Sequence, residues 1–439
     1  MKKYPEYKDS EIEWIGEIPK DWQIQKLKYC FEFHQGGAWG DEPHKSEVDL
    51  VCLRVADFNY QALNIADKEY TLRSYSKEQA QKLILHSGDL LIEKSGGGEK
   101  TPVGRVVIFD KSFDCVFANF IELLRLKNEF SNKYINSFFS SIYAIGLNKK
   151  YFNQTTGIQN LNVTKYLEEL CCFPPKAVQK RISDYLDVRT TAIDNLIADK
   201  QKLIELLKEK RQAIISEAVT KGLDKNAKMK DSGIEWIGEI PEEWEVKKIK
   251  YITELYPKCN TTHLNSNSVV TFTPMECVKT GELEIRDVVF SNYSNSYNLF
   301  CNRDILLAKV TPCFENQNIV IANDLINGIG FGSSELFVFR CYGVNIEFLY
   351  YYFLTNEFLE FGKSTMYGVA GLKRVNADLL KNRYLALPPV AEQVDIINCI
   401  KKQTTEVNTL IADIATQIEK LKEYRQSVIS EAVTGKVMI

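Results

Sequence analysis

DSEIEWIGEIPKDWQIQKLKY, residues 9–29, returns as DSGIEWIGEIPEEWEVKKIKY at residues 231–251, with 14 of 21 positions identical and Trp14 carried onto Trp236, 222 residues further on. A second pair, RQAIISEAVT at 211–220 and RQSVISEAVT at 425–434, agrees at 8 of 10 positions; its offset of 214 also carries Pro174-Pro175 onto Pro388-Pro389. A period this long is a domain duplication, not the repeat of a stacked solenoid. The two offsets differ by 8 residues, so the material between the repeated blocks has changed in length. Like ends around an unlike middle describe one framework carrying two different inserts.

Each half follows the same order. Short runs rich in β-branched and aromatic residues lie at 48–55, 88–94 and 104–109, then at 269–273, 303–309 and 335–340. Bounded by Gly, Asn, Asp and Pro, they predict strands, with Asp89 and Asp304 opening equivalent ones. Aromatic and aliphatic residues at helical spacing predict helices near 132–147 and 345–362. Each insert is therefore a mixed α/β unit of roughly 150 residues, the usual size of a domain.

Past each Pro-Pro the texture changes. Ile182, Arg189, Leu196, Leu203 and Lys210 recur at one heptad position, and Leu186, Ile193, Lys200, Leu207 and Ile214 at the other. After Pro389 the tracks are Ile396, Gln403, Leu410, Gln417 and Tyr424, with Ile400, Val407, Ile414, Leu421 and Val428. Heptads sustained this long predict coiled-coil helices. Each starts beyond prolines that cannot sit inside a helix and stops at Lys221-Gly222 or Gly435-Lys436. A helix over 178–220 would be about 60 Å long at ~1.5 Å per residue. Neither interrupted seam is stable alone. The simplest solution is that the two helices pair, antiparallel if a pseudo-two-fold axis relates the halves; a partner protein or a second copy would serve instead.

Composition narrows the function. The 439 residues suit two or three domains, and 45% apolar with 26% charged residues excludes a disordered or collagen-like chain. Lys plus Arg is 55 against 58 Asp plus Glu, a net charge of −3, whereas a protein that grips nucleic acid unaided is usually basic. The eleven cysteines show no C-x-x-C spacing. The opening residues carry no apolar secretory segment, and no run of ~18 apolar residues is present to cross a bilayer. The expectation is a cytoplasmic protein with reduced thiols.

Chemistry is hard to find. The four histidines (34, 44, 86 and 263) do not recur between the halves and have no metal-ligand spacing. GDLLIEKSGGGEKT (88–101) sets three glycines after a strand, but Glu99 separates Gly98 from Lys100 and breaks the phosphate-loop pattern. Its counterpart KVTPCFENQ (309–317) has no glycine. Asp89, Glu93 and Lys94 lack nuclease spacing, and Ala308 stands where Glu93 would recur. No catalytic constellation emerges.

A duplicated scaffold with unlike inserts suits an object with two unlike ends, and DNA half-sites one helical turn apart are such an object. The two long helices would then act as a ruler between readers. The strings IEWIGEIPKDW (12–22), GDLLIEKSGG (88–97) and RQAIISEAVTKG (211–222) resemble those of type I restriction-modification specificity subunits. So do FTPMECV (272–278), GFGSSELFV (330–338) and LPPVAEQ (387–393), and the resemblance covers essentially the whole chain. It implies an α+β fold with duplicated pseudo-two-fold architecture: two mixed α/β target recognition domains joined by two long antiparallel coiled-coil helices. The implied division is 1–175 and 223–389 for the recognition domains, with conserved spacer helices at 176–222 and 390–439.

The resemblance further implies a non-catalytic subunit that reads a bipartite, asymmetric double-stranded DNA site. Its helices would dock two methyltransferase subunits and, through the complex, restriction/translocase subunits. S-adenosylmethionine, ATP and Mg are then expected on those partners, with no cofactor or metal on this chain. A DNA-mimic anti-restriction protein is a further candidate partner. Partners embracing the DNA would supply part of the cationic surface this chain lacks.

Base edges are read by polar and basic side chains on exposed loops. In the first half the candidates are Lys94, Ser95, Lys100, Thr101 and Arg105, with Lys149, Lys150, Asn153, Gln154, Gln159 and Asn160. In the second they are Lys258, Asn260, Thr261 and Thr262; Glu315, Asn316, Gln317 and Asn318; and Lys363, Lys373 and Arg374. Trp14, Trp22, Trp236 and Trp244 sit in the repeated framework, so they are expected to pack it and not to stack on bases. The rival reading is a coiled-coil assembly scaffold whose inserts bind proteins.

Overall fold

The computed structural model describes residues 2–98, 101–155, 158–293, 296–369 and 371–439. The chain forms two compact units, Met1–Lys200 with Thr416–Ile439, and Gln201–Ala415. This differs from the division read off the sequence. Because the two long helices, Lys176–Lys221 and Val390–Val433, pack on each other, each unit takes one α/β insert and one stretch of each helix.

The inserts share a central antiparallel sheet. In the first unit the strands Phe31–Gly36, Ile121–Leu126, Leu90–Glu93 and Val106–Ile108 lie side by side. In the second, Thr253–Leu255, Leu336–Cys341, Asp304–Ala308 and Ile319–Ile321 take the same places. The middle strands, LLIE and DILLA, are wholly buried, as continuous apolar runs in a covered sheet should be. Each middle strand is opened by a buried aspartate paired with a partly exposed arginine. Asp89 takes Arg125 at 2.8 and 2.5 Å and the His86 amide at 2.7 Å. Asp304 takes Arg340 at 2.8 Å through both oxygens and the Cys301 amide at 2.7 Å. The helix expected near 132–147 is Asn132–Ala144. The one expected near 345–362 is instead two, Ile346–Phe353 and Asn356–Ser364, because Thr355 leaves the helix and caps the second through the Phe358 amide at 3.2 Å.

The repeated blocks recur because they touch. In the first unit Trp22 and Pro19 close over Gly435, which ends the second long helix at φ +75°. In the second unit Trp244 and Pro241 close over Gly222, which ends the first at φ +77°. A Cβ on Gly435 would lie 2.5 Å from the Pro19 ring, so the glycine serves both the left-handed stop and the close approach. Trp22 and Trp244 are buried framework. Trp236 is 44% exposed, but the Arg383 guanidinium covers its ring at 3.8 Å.

The Pro-Pro motifs hide a further duplicated residue. Gln179 accepts the Ser131 amide at 2.9 Å and donates to Pro174 O at 2.9 Å; Gln393 does the same with Asn345 and Pro388, both at 2.8 Å. Each buried amide pins the start of a long helix to the cap of a helix in its own insert.

Within each unit the long helices run antiparallel. Arg189 meets Tyr424, Asp194 meets Arg425 and Lys200 meets Gln417 in the first unit, and Arg211 meets Asn408 in the second. Leu186, Ile193, Ile400, Val407, Ile414 and Val428 are buried on the seam, and Leu207, Ile214 and Leu421 are partly buried. The companion track begins as expected, with Ile182 and Ile396 buried, but does not hold further along the helices. Leu196 and Leu203 are 44% exposed and Leu410 is 50% exposed, while Ile197 and Ile418, one residue on from the expected track, are buried. A seam residue can take its neighbour three or four positions away, and the sequence pattern fits both choices. The structure takes four, leaving the other leucines on the flank.

Candidate nucleic-acid interface

Where the middle strand of each central sheet ends, the chain turns into a loop beside a β-hairpin. The hairpins are Phe152–Thr155 with Ile158–Leu161 and Tyr367–Val369 with Leu372–Arg374. The first residue past each strand is a lysine, held by the backbone in the same way in both units. Lys94 N donates to Phe120 O at 2.9 Å, and its carbonyl accepts from Leu161 N at 2.8 Å. Lys309 N donates to Glu335 O at 3.0 Å, and its carbonyl accepts from Val375 N at 2.8 Å. Sequence reasoning named Lys94 and missed Lys309, although both follow the strand opened by the duplicated aspartate.

Around Lys94 the first unit is rich in internal ion pairs. The Lys94 ammonium lies 3.6 Å from Glu122, whose other oxygen holds His34 Nδ1 at 2.5 Å. Arg105 is not a free reader. It bonds the buried Glu93 at 3.1 Å and lies over the Tyr60 ring at 3.4 Å. Burial pushes the Glu93 carboxyl above its ordinary range; Arg105 and the Tyr60 hydroxyl pull it part of the way back. Ser95 Oγ and Asn160 Oδ1 are 2.6 Å apart, tying loop to hairpin. Gln159 is buried, Asn153 is exposed, and Thr101, Lys149 and Lys150 are exposed, Lys150 with Glu169 at 3.8 Å. Lys100 and the Gln154 side chain lie outside the described residues.

The glycines of this loop have a local purpose. A Cβ on Gly97 would lie 2.6 Å from Val103 N and 2.7 Å from Thr101 O, so the loop folds against itself there. With Asp89 bound to Arg125 and Glu93 to Arg105, each acid of the nuclease-like string already holds a cation.

The second unit uses its candidates differently. Arg374 grips Glu335 through three contacts of 2.7 to 3.1 Å. Gln317 donates to Leu354 O at 2.9 Å and Asn318 is buried, so both are structural; Asn316 and Glu315 are exposed. Asn260 caps its own turn through Thr262, whose amide and hydroxyl donate at 3.0 and 2.7 Å; Thr261 is half-buried between them. Lys258 and Lys373 are exposed, and Lys363 pairs with Glu360 at 2.8 Å. Tyr367, Val369 and Leu372 put an apolar, exposed face on the hairpin. Cys259, Cys301 and Asp304 bring potential ligand atoms within 4.8 Å of one another. Asp304 is already bound to Arg340, and burial pushes the Cys259 thiol up to about 12, which leaves that thiol protonated.

The geometry is that of two equivalent loop clusters built on one plan: a lysine after the middle strand, a hairpin beside it, and polar loops around them. Comparison with known proteins agrees with the duplication. A family model described as "Type I restriction modification DNA specificity domain" matches residues 19–206 and again 241–420. The type I restriction enzyme EcoAI specificity subunit of Escherichia coli is 36% identical over 164 residues, 36% of this chain and 28% of that protein. The EcoEI specificity subunit, also from E. coli, is 33% identical over 37% of this chain and 28% of its own length. The shared stretch is thus little more than a quarter of these relatives. The MjaVIII specificity subunit of Methanocaldococcus jannaschii is 22% identical across 100% of this chain and 98% of its own. Among solved structures, a chain from a study of assembly and conformational transition in the type I R-M system aligns at TM-score 0.70 with 13% identity, covering 96% of this chain and 99% of that one. The HsdS subunit from Thermoanaerobacter tengcongensis aligns at 0.54 with 14% identity, over 96% and 98%. At such identities the likeness is one of fold.

Proposed function

Since the chain belongs to the type I restriction-modification DNA specificity family, with the family domain present twice, we propose that it reads a bipartite, asymmetric DNA target with one unit per half-site. The observation that carries this reading is the pair of equivalent ends. The frame around Lys94 and Lys309 is shared, while the side chains around them are not, as expected of two readers of different sequences. The chain does no chemistry in this reading. Methyltransferase subunits dock on it, restriction/translocase subunits join through them, and S-adenosylmethionine, ATP and Mg belong to those partners. Working on DNA, the assembly acts in the cytoplasm. No described helix is long and apolar enough to cross a membrane. A DNA-mimic anti-restriction protein would compete for the same two ends.

The test is to exchange residues 30–170 for the corresponding insert of a relative and map the methylated sites. One half of the recognised sequence should change and the other stay. A change in both halves would refute one-unit-per-half-site reading. Gel shifts with the assembled complex across a salt series separate the rival scaffold, which would show no steep loss of DNA affinity with salt.

A further inference from the structure

The two equivalent lysines differ in what answers their charge. Lys94 has Glu122 at 3.6 Å. Glu122 lies second in the strand Ile121–Leu126; the second residue of the matching strand Leu336–Cys341 is Phe337. The Lys309 ammonium therefore lies 5.8 Å from the centre of the Phe337 ring, where the first unit has a carboxylate. Among the described residues it makes no ion pair. The neighbouring carboxylate, Glu335, already holds the Arg374 guanidinium at 2.7 Å. Lys309 is half-buried, and the loss of water there lowers its proton affinity; Glu335 raises it again in part and Arg374 lowers it. An aromatic face attracts a cation but does not neutralise it. A partly desolvated cation without a counter-ion is unfavourable until an anion arrives.

Resting on the DNA-reading function above, we propose that Lys309 is a phosphate-binding residue of the second unit, left without an ion pair of its own because Arg374 engages the nearby Glu335, so that the DNA backbone supplies the missing partner. The backbone bonds of Lys309 to Glu335 and Val375 fix its Cα beside the hairpin, so the flexible side chain starts from a set position. The adjacent hairpin and the exposed Lys373 sit on the same loop cluster: Thr311, two residues on, donates its amide to Lys373 O at 3.0 Å.

The experiment measures DNA affinity of the full chain assembled with its methyltransferase subunits, on the mapped target, across a salt series. Lys309→Gln should weaken binding several-fold and reduce the slope of log affinity against log salt by about 1. Lys309→Arg should restore the slope, and the recognised sequence should not change. Lys250→Gln, an exposed lysine of the same unit near the other end of the central sheet, where its carbonyl accepts from the Tyr342 hydroxyl, should keep the wild-type slope. Thermal unfolding of Lys309→Gln should match or exceed wild type, which separates lost contact from lost fold. Wild-type slope and affinity in Lys309→Gln overturn the proposal. So does an unchanged slope with altered preference at one base, which would make Lys309 a base reader. If the wild-type complex shows no dependence on either half-site, the DNA-reading function itself falls, a result distinct from both.

Discussion

Lys94 and Lys309 leave their strands at the same point of equivalent sheets, yet a carboxylate faces the first and an aromatic ring the second. In the first unit Glu93, Glu122 and His34 gather around Lys94 and Arg105. In the second, Ala308 replaces Glu93 and Phe337 replaces Glu122. The frame that places the lysine is duplicated; the charges that answer it are not. What repeats holds the strand end in place, and what differs is the charge around the lysine.

The strongest way to break this comparison is to attack the frame. Asp89→Ala and Asp304→Ala each leave a guanidinium and a backbone amide without their acceptor. The carboxylates are buried but the guanidiniums partly exposed, so the expected cost is about 3 kcal/mol, the low end for breaking a buried pair. Each variant should lose that stability in its own unit, read by hydrogen exchange of the middle strands, with similar cost in both. A loss confined to one unit would show that the duplicated pair is not an equivalent support. Next in size is the helix seam. Ile193→Ala should cost about 2–3 kcal/mol, as for a buried aliphatic truncation, whereas Leu196→Ala on the flank should stay within ~0.5 kcal/mol. The reverse order in chemical unfolding would restore the seam first expected from the sequence.

How much of this was legible before the structure follows from what kind of signal each feature leaves. The duplication, the strand runs and the long helices are written in periodicity and repeated blocks, and they were readable. The seam was half readable, because steps of three and four alternate in any heptad and only packing decides which flank faces in. Gln179 and Gln393 were hidden because a glutamine after Pro-Pro looks like any polar helix residue until its two hydrogen bonds are seen. Lys309 was hidden because the segment after it lacks the glycines that mark the loop after Lys94. Arg105, Arg374, Gln317 and Asn318 are residue types that read bases, but here the first three bond within the protein and Asn318 is buried. No sequence pattern tells a free arginine from one already engaged.

Smaller in effect is converting one unit's charge pattern toward the other's. Glu122→Gln keeps a hydrogen-bonding side chain for His34 but removes the charge facing Lys94. The freed ammonium should steepen the salt dependence of DNA binding by up to about one phosphate contact. An unchanged slope would mean that Lys94 does not face the DNA and that the two ends are less alike than their backbones.

The finest test uses pH and the residue present in only one unit. Burial raises the Glu93 carboxyl above its ordinary range, and this outweighs the pull of Arg105 and Tyr60. The folded protein therefore holds this proton to higher pH than the unfolded chain, and stability falls as pH rises from the ordinary carboxylate value through the raised one. Glu93→Gln does not titrate. Its stability relative to wild type should climb across that window and then level off, whatever constant offset the altered bond to Arg105 introduces. Hydrogen exchange in the Leu90–Glu93 strand is the readout, and the Asp304–Ala308 strand, with Ala308 in that place, is the internal control. A difference that falls with rising pH would mean that Arg105 dominates burial. The first unit's carboxylate would then be a stabilising partner, and the contrast between the two ends would lie in Glu122 alone.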